Sequence, residues 1–427
     1  MKGYRPPSSV TLGLLCLGLL LQGASDAHMA SFLSEHAPLV GMSTSQYGII
    51  MGANSIVAIT MLPVIAKLTM LNLISDKAFL ILGYLVDATA MLSMASVDYL
   101  GLRGPIFFFT LLALRVVQSL GSTIGFNLVY SVSGSELPDH SHITVPFLEC
   151  MYGVGMTMGP AISGALYDVG GFPLPFIYHS GVLYSLVVFA YVFLPRSSTS
   201  PAEETSVSLC LLTRPTILVC MLMVATSNLV DTFNDSTFAR LLSKFNLSTT
   251  AVGLSFFLPA GSYTVSSLVA GFVTHEPAAR RVVLLVCALS AIGALLFIPP
   301  IVPLPRHPLW VVHVSEVVLG LSIGPFYVYS YLIICDDLDQ ITNAKTAHTA
   351  TAAVTNWSSF FGCFVGPVLG NFITEASSLE DASVVITAIT ACTTVIYIIH
   401  TIIRSTQVEE KLQISPIGGI ANGPART

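Results

Sequence analysis

Asp231 and Asp235 lie four residues apart in an apolar stretch from about Thr216 to Thr237. Side chains at this spacing share one face of a helix, so the two carboxylates would lie side by side. Carboxylates are costly at membrane depth, where they normally face a wet cavity or a partner. The pair therefore indicates a water-reachable site inside a membrane protein. The structural alternative is that both acids cap the end of the helix.

Few other charged residues lie in the apolar stretches. With the pair, they are Asp26, Asp87, Arg115, Glu149, Asp231, Asp235 and Glu316. An interior cavity lined by several of these acids would attract cations and repel anions. A carboxyl group in such a place is expected to exchange protons near neutral pH. An arriving cation would favour the charged carboxylate and expel its proton, which is the simplest basis for exchanging protons for amines.

The composition places these acids in a membrane protein. Of the 427 residues, 53% are hydrophobic and 9% are charged, whereas an ordinary soluble domain has about 25% charged residues. The net charge of −6 comes without a basic stripe, which argues against nucleic acid as a partner. The eight Cys show no CxxC or Cys/His spacing, so they are interpreted as small hydrophobic residues, and we expect neither metal nor cofactor.

Apolar stretches long enough to cross a bilayer, which takes about 20 residues, recur along the whole chain. We predict twelve: 10–32, 45–66, 78–97, 106–131, 144–166, 173–194, 215–237, 251–273, 282–301, 309–334, 347–373 and 383–404. The polar linker 196–214 separates a first bundle, 1–195, from a second, 215–404, and 405–427 form a tail. The predicted fold is an all-α membrane protein with two pseudo-symmetric six-helix bundles.

Basic residues indicate the orientation. With the N-terminus in the cytosol, twelve Lys and Arg fall on the cytosolic side and four on the other, which fits the positive-inside rule with both termini cytosolic. Cleavage of the first segment as a signal peptide near QGASDA is the alternative. Asn246, in the sequon Asn-Leu-Ser, falls in a loop on the non-cytosolic side, where it could be glycosylated.

The two halves share a pattern of Gly and Pro. The fifth segment contains Gly153, Gly155, Gly159, Pro160 and Gly164, and the eleventh contains Gly362, Gly366, Pro367 and Gly370. Small residues at helical spacing allow close helix approach, and Pro bends helices. Matched Gly/Pro-interrupted helices in two halves are typical of alternating-access transporters. Plain helix packing is the simpler interpretation.

At this point the chain resembles the major facilitator superfamily. The run GVGMTMGPAISGALYDVGG looks like that superfamily's Gly-rich antiporter motif, and the block Phe147–Tyr178, with Leu148-Glu149, is similar to the vesicular amine transporter family, nearest to its polyamine branch. Some positions depart from the superfamily pattern. The loop NLISDKAF has Asn72 in place of Gly, GFVTHEPAARR has His275-Glu276 in place of the acid and base, and Ser119 replaces a Gly after Arg115.

The resemblance implies roles for particular residues. Asp235 matches an acidic position of the family's seventh segment, Glu149 its fifth-segment Leu-Glu and Asp26 an acid of the first segment, and Asp231 could share the proton of Asp235. The first, fourth, seventh and tenth segments are expected to line a cavity near the midplane. Tyr327 or Tyr331 could hold an ammonium group on an aromatic face. Asn356 stands where the monoamine branch has a carboxylate.

The remaining charged residues are given structural interpretations. Arg115 is expected to order the first bundle through a buried pair, and Asp87 either pairs with it or faces the cytosol. Glu316 matches no position of the family, and its side chain could equally reach the membrane interface. Glu149 could instead stabilise helix packing.

Three classes of function remain to be compared. The leading hypothesis is a monomeric, proton-coupled antiporter of organic cations, either polyamines or monoamines, in a vesicle or plasma membrane. A facilitator of a neutral or anionic solute is the alternative. An intramembrane aspartyl protease fits poorly, because a catalytic dyad usually converges from separate elements, whereas Asp231 and Asp235 share one helix turn.

Overall fold

The computed structural model describes residues 8–71, 74–136, 141–194, 214–273, 276–299, 308–339 and 344–414. Throughout this part of the chain the regular structure is helical, and no strand occurs in it. The helices are α1 Ser8–Ala27, α2 Leu33–Leu39, α3 Thr44–Met70, α4 Asp76–Tyr99, α5 Gly104–Glu136, α6 Ser141–Gly170, α7 Pro173–Phe193, α8 Pro215–Ser243, α9 Thr249–Ser255, α10 Phe257–Val273, α11 Pro277–Leu295, α12 Leu309–Asp339, α13 Ala344–Ala376 and α14 Leu379–Ile414.

Eleven stretches of the described chain are long and apolar enough to cross a membrane. They match eleven of the predicted segments, and the fifth predicted segment falls on the 30-residue helix α6. The eighth segment is divided into α9 and α10 at Phe256. Pro259 lies in the first turn of α10 and has no N–H to bond the carbonyl of Ser255, so a new helix begins there.

The last helix is longer than predicted. α14 continues to Ile414, ten residues beyond the predicted end at Arg404. The added stretch, STQVEEKLQI, is too polar to be recognised as part of a membrane segment. It is nevertheless rich in Glu, Gln, Lys and Leu, which favour helix. The predicted tail is therefore helical over its first ten residues. The predicted linker 196–214 lies, apart from Arg214, outside the described residues.

Each bundle has one contact between its first and fifth membrane segments and another between its third and fourth. In the first bundle α1 packs on α6, and α4 packs on α5 and α7. In the second bundle α8 packs on α13, and α12 packs on α10 and α11. Seven of the eight Cys lie in the described chain, and all seven are free.

Glycines give the two bundles equivalent tight contacts. An added Cβ on Gly159 of α6 would lie 2.5 Å from the carbonyl oxygen of Ala24 on α1. One on Gly366 of α13 would lie 2.5 Å from the carbonyl oxygen of Leu229 on α8. Real Cβ atoms do not come that close to backbone, so these positions require Gly. The Gly pattern of the fifth and eleventh segments thus brings each helix against the first helix of its own bundle.

The two bundles meet along α3 with α13 and along α6 with α9 and α10. Hydrogen bonds between described residues of different bundles lie at one end of the protein. There the backbone N–H of Ser45 donates to Glu375 Oε2 at 2.6 Å, and Thr249 and Thr250 donate to Asp168. We call this the Asp168 end. The opposite end, where α7 stops and α8 begins, is called the linker end.

Candidate functional site

A buried polar network fills the centre of the first bundle. Gln118 Nε2 donates to Asp87 Oδ1 at 3.0 Å and to Ser25 Oγ at 3.2 Å. Arg115 donates to Gln118 Oε1 at 2.6 Å and to the backbone oxygen of Asp26 at 3.0 Å. Asp87 is 0% exposed and Arg115 is 1% exposed. Of the two alternatives for Asp87, the buried one is therefore correct and the cytosolic one is wrong, and Gln118 joins Asp87 to Arg115.

Asp26 lies at the edge of this network and is partly exposed. Ser122 Oγ donates to its carboxylate at 3.1 Å, and Tyr152 Oη donates at 3.1 Å. These donors come from α5 and α6, so the carboxylate of α1 is held where three helices of the first bundle converge. Arg115 lies within electrostatic reach of the same carboxylate.

Glu149 of α6 faces the second bundle. Its Oε1 accepts a 2.7 Å hydrogen bond from Tyr130 Oη, and its side chain is solvent-exposed. Tyr263 of α10 and Tyr327 of α12 lie within electrostatic reach of its carboxylate. Glu149 therefore has an exposed side chain that interacts electrostatically with tyrosines of the opposite bundle.

Asp231 and Asp235 project from α8, and both are partly exposed. Neither carboxylate makes a hydrogen bond or an ion pair with a described residue. They interact electrostatically with each other, and Cys363 of α13 is close to both. Two partly exposed acids on one helix face, with no cationic partner among the described residues, form a strongly electronegative surface.

Side chains from both bundles connect the four acids. Tyr152, which bonds Asp26, is within electrostatic reach of Glu149 and of Cys363 across the interface. Cys363 is in turn near Asp231 and Asp235, and Tyr263 is near both Asp231 and Glu149. These electrostatic interactions link the acids of α1, α6 and α8 across the interface between the bundles.

Glu316 of α12 lies beside this region and was left out of the predicted site. It is 0% exposed, and Asn234 Nδ2 donates to its Oε2 at 2.7 Å. Its other oxygen has no hydrogen-bond partner among the described residues. Asp231 and Asp235 are its electrostatic neighbours. The alternative in which the Glu316 side chain reaches the membrane interface is therefore wrong.

The predicted aromatic and amide residues have different environments. Tyr327 and Tyr331 are partly exposed and lie one turn apart on the same face of α12, whereas Tyr329 is buried. Asn356 of α13 is exposed and makes no hydrogen bond with the described residues. It precedes Cys363 by seven residues and so shares its helix face. Tyr327, Tyr331 and Asn356 are therefore placed to extend the acidic region towards the linker end.

A clamp joins the bundles at the Asp168 end. Asp168 Oδ2 accepts from the backbone N–H of Thr250 at 2.7 Å and from its Oγ1 at 2.5 Å. Thr249 donates its backbone N–H to Asp168 Oδ1 and its hydroxyl to Glu35 Oε2 at 2.7 Å. Partial burial raises the pKa of Asp168, but these hydrogen bonds outweigh it and hold the pKa below its ordinary value. Asp168 is therefore an ionised clamp at neutral pH.

Close backbone contact accompanies the clamp. Gly164 of α6 lies against the carbonyl oxygen of Thr249. Gly253 of α9 lies against the carbonyl oxygen of Pro160, which would be 2.5 Å from a Cβ added to Gly253. On the other side of the interface, Pro367 and its neighbours on α13 meet Gly48 of α3. The Gly and Pro residues of the fifth and eleventh segments therefore serve contacts within and between bundles.

Comparison with known proteins gives a consistent family. A family model described as Major Facilitator Superfamily matches residues 15–367. The MFS-type transporter SLC18B1 of Rattus norvegicus is 24% identical over 362 residues, which cover 84% of this chain and 78% of the relative. The protein of the same name from Homo sapiens is 24% identical over 387 residues, covering 88% and 81%. These relatives confirm the resemblance to the vesicular amine transporter family.

Solved structures share the fold. A bacterial homolog to the human lysosomal transporter Spinster, inward-facing and unoccupied, matches with a TM-score of 0.76 at 14% identity, over 93% of this chain and 97% of that one. The nucleoside transporter NupG matches with a TM-score of 0.67 at 13% identity, over 91% and 97%. The predicted fold of two six-helix bundles is confirmed. The protein is a multi-pass membrane transporter and not an enzyme, and the chain belongs to the major facilitator superfamily.

Proposed function

We propose that the protein is a proton-coupled antiporter that moves organic cations of the polyamine or monoamine class by alternating access. In this proposal it works as a monomer in a vesicle or plasma membrane, with both termini in the cytosol. The bundles 1–195 and 215–404 rock against each other around the region between Asp26, Glu149, Asp231 and Asp235. Residues 196–214 connect the bundles.

The unpaired carboxylates of Asp231 and Asp235 carry this proposal. Several other acids of the described chain are paired with Arg or Lys, as Asp336 is with Arg280 at 2.7 Å. Asp231 and Asp235 have no such partner among the described residues, although they lie in a membrane-spanning helix. Leaving acids unpaired there is costly, so a cation or protons that arrive from solution are the natural partners.

The distribution of acids suits an amine. Asp26 and Glu149 come from the first bundle, and Asp231 and Asp235 come from the second. A solute with two or more ammonium groups can engage both bundles at once. Tyr152, Tyr263 and Tyr327 lie close to these acids, and each aromatic face adds about 0.5–2 kcal/mol to the binding of a cation.

Coupling to protons follows from competition at the same oxygens. A protonated carboxyl group offers no net negative charge to an ammonium group, and a bound ammonium group favours loss of that proton. A proton bound from the acidic side and an amine bound from the other side would then be carried in opposite directions. Coupling requires only that the acids face each side in turn, as rocking bundles allow.

Uptake into proteoliposomes tests the proposal. Purified protein is reconstituted into vesicles that are acidic inside, and accumulation of labelled spermidine and serotonin is followed with and without an ionophore that collapses the pH gradient. We expect accumulation that requires the gradient, and near-total loss with Asp235→Asn. Asp98→Asn, which alters an acid paired with His36 outside the site, serves as the control.

Two results would count against the antiporter. Absence of gradient-driven accumulation of either amine would overturn the substrate class or the coupling. Flux that survives in Asp235→Asn and does not depend on the gradient would instead indicate an uncoupled facilitator.

A further inference from the structure

The linker end of the second bundle contains a pocket that the transport proposal does not use. It lies where α8 and α11 begin, close to the end of α12, and α14 closes it. The residues that line it are Thr216, Cys220, Arg281, Ile333, Tyr397, His400, Thr401 and Arg404. Cys220, Ile333 and Tyr397 are buried and form an apolar floor. The polar groups are arranged around its mouth.

Positive charge exceeds negative charge around this pocket. One carboxylate, that of Asp337, serves both Arg214 at 3.1 Å and Arg404 at 3.0 Å. Arg281 makes no ion pair with a carboxylate of the described residues, although it lies within electrostatic reach of His400 and Tyr397. Arg214 and Arg404 therefore share one acid, and the charge of Arg281 has no carboxylate partner among the described residues. An anion at the mouth of the pocket would restore the balance.

Hydrogen-bond donors are already arranged at this point. Arg404 Nη1 donates to Thr216 Oγ1 at 2.9 Å, and the ring of His400 lies 3.4 Å from the same hydroxyl. Arg281 presents the planar fork of donors that matches two oxygens of a phosphate. The pocket has a volume of about 10 Å³, which is room for about one water molecule. A phosphate group would place one oxygen inside and keep the rest at the mouth.

Apolar side chains continue from the pocket along the outer surface. Val282 and Val286 of α11 and Ile399, Ile402 and Ile403 of α14 are each more than half exposed. α11 and α14 pack on each other, and these exposed side chains are close in sequence to the pocket residues Arg281, His400 and Arg404. A free inorganic anion would leave them uncovered, whereas the acyl chains of a lipid would cover them.

We propose that Arg281, Arg404 and His400 bind the phosphate headgroup of an anionic phospholipid whose acyl chains lie along α11 and α14. Such a lipid would join α11 and α14 of the second bundle at the linker end. Basic pockets between membrane helices are suited to anionic headgroups. The proposal is independent of the substrate that the transporter moves.

Native mass spectrometry of the delipidated full-length protein in neutral detergent tests this site. Phosphatidylglycerol is titrated against the wild type, Arg281→Gln and Arg281→Lys, with phosphatidylcholine and inorganic phosphate as separate arms. We expect about tenfold weaker phosphatidylglycerol binding in Arg281→Gln, the size expected for one lost charge-assisted hydrogen bond. Arg281→Lys should lose less, because it keeps the charge without the fork.

The matched control is Arg103→Gln, which makes the same change of charge at an exposed arginine of the Asp168 end. Its binding of phosphatidylglycerol should equal that of the wild type. Wild-type binding by Arg281→Gln, or equal binding of phosphatidylcholine, would overturn the proposal. Displacement of the lipid by an equal concentration of inorganic phosphate would show a free-anion site instead. If Arg281→Gln does not fold, the test rests on Arg281→Lys. Unchanged lipid binding by that variant would overturn the proposal that the guanidinium group of Arg281 binds two phosphate oxygens.

Discussion

The side-chain amide of Asn234 donates a 2.7 Å hydrogen bond to Glu316 and so joins α8 to α12 beneath the acidic region. Both residues are buried, and Glu316 is 0% exposed. Asp231 and Asp235 stand on the same helix as Asn234 and share the electrostatic field of Glu316. The acidic site of the second bundle therefore combines a buried hydrogen bond, between Asn234 and Glu316, with two partly exposed carboxylates, those of Asp231 and Asp235.

Two substitutions of Glu316 should distinguish the contribution of its packing to stability from the contribution of its charge. Glu316→Gln keeps the shape and an acceptor for Asn234, so its melting temperature should stay close to that of the wild type. Glu316→Ala leaves the amide of Asn234 unpaired and opens a cavity, with an expected loss of about 2–4 kcal/mol. Thermal unfolding in detergent compares the two variants. Equal melting temperatures for Glu316→Ala and wild type would show that the bond does not support the fold.

The glycine contacts of α6 predict opposite outcomes for two neighbouring substitutions. Gly155 lies against the carbonyl oxygen of Leu20, whereas a Cβ on Gly153 meets no atom within 4 Å. Gly155→Ala should therefore destabilise the protein by about 1–3 kcal/mol through overpacking, and Gly153→Ala should have little effect. Melting temperatures of the two variants provide the measurement. Similar losses for both would contradict the close approach of α6 to α1.

The Asp168 clamp should control separation of the bundles at its end. Spin labels at the exposed positions Val169 and Leu254, in a cysteine-free background, report the distance across the interface. Asp168→Asn should shift the distribution to longer distances because it weakens the bonds to Thr250. Glu380→Gln, which breaks only the 2.9 Å pair with Lys244 within the second bundle, is the control. An unchanged distribution in Asp168→Asn would rule out the clamp.

The clamp should not itself respond to pH in the physiological range. The pKa of Asp168 is held below its ordinary value of 3.8. A lowered pKa means that the stabilisation is present above the ordinary value and is lost as the pH falls through the lowered one. Any change of the spin-label distances with pH near neutrality should therefore also be seen in Asp168→Asn, because Asp168 does not titrate there. Any shift in Asp168→Asn with pH must come from another site, such as the acids of α8.

Glycosylation of Asn246 would establish the orientation of the protein. Asn246 is exposed and lies in a left-handed turn between α8 and α9, with φ at 55°. In a eukaryotic host, treatment with a glycosidase should increase the gel mobility of the wild type but not that of Asn246→Gln. A wild type without glycan, together with a glycan on a sequon inserted into the linker 196–214, would reverse the predicted topology.

The sequence was informative where a pattern repeats. Spacing and the rarity of charge in apolar segments were enough to select Asp231 and Asp235, and the matched Gly pattern indicated two bundles. Glu316 could not be placed in the same way. Its partner Asn234 lies 82 residues away, and a single Glu in an apolar segment has the same local sequence whether it faces the interior or the membrane interface.

Contacts between the two bundles also could not be predicted from the sequence. Tyr152 directly precedes the Gly-rich run and was not selected from the sequence, yet its hydroxyl bonds Asp26, and it interacts electrostatically with Cys363 of the other bundle. Such pairs depend on how the bundles are placed in three dimensions. The helical extension to Ile414 was not predicted because the apolar stretch ends at Arg404. The residues that follow are polar but still have a high helix propensity.

The most direct test of the account is the count of protons released when the amine binds. Spermidine is added to purified protein in weakly buffered detergent near neutral pH, and the released protons are measured together with the bound amine. The account predicts release of about one proton or more per amine bound, with the release strongly reduced in Asp235→Asn. Spermidine binding without any release of protons, in wild type and variant alike, would contradict competition between protons and amine at these acids.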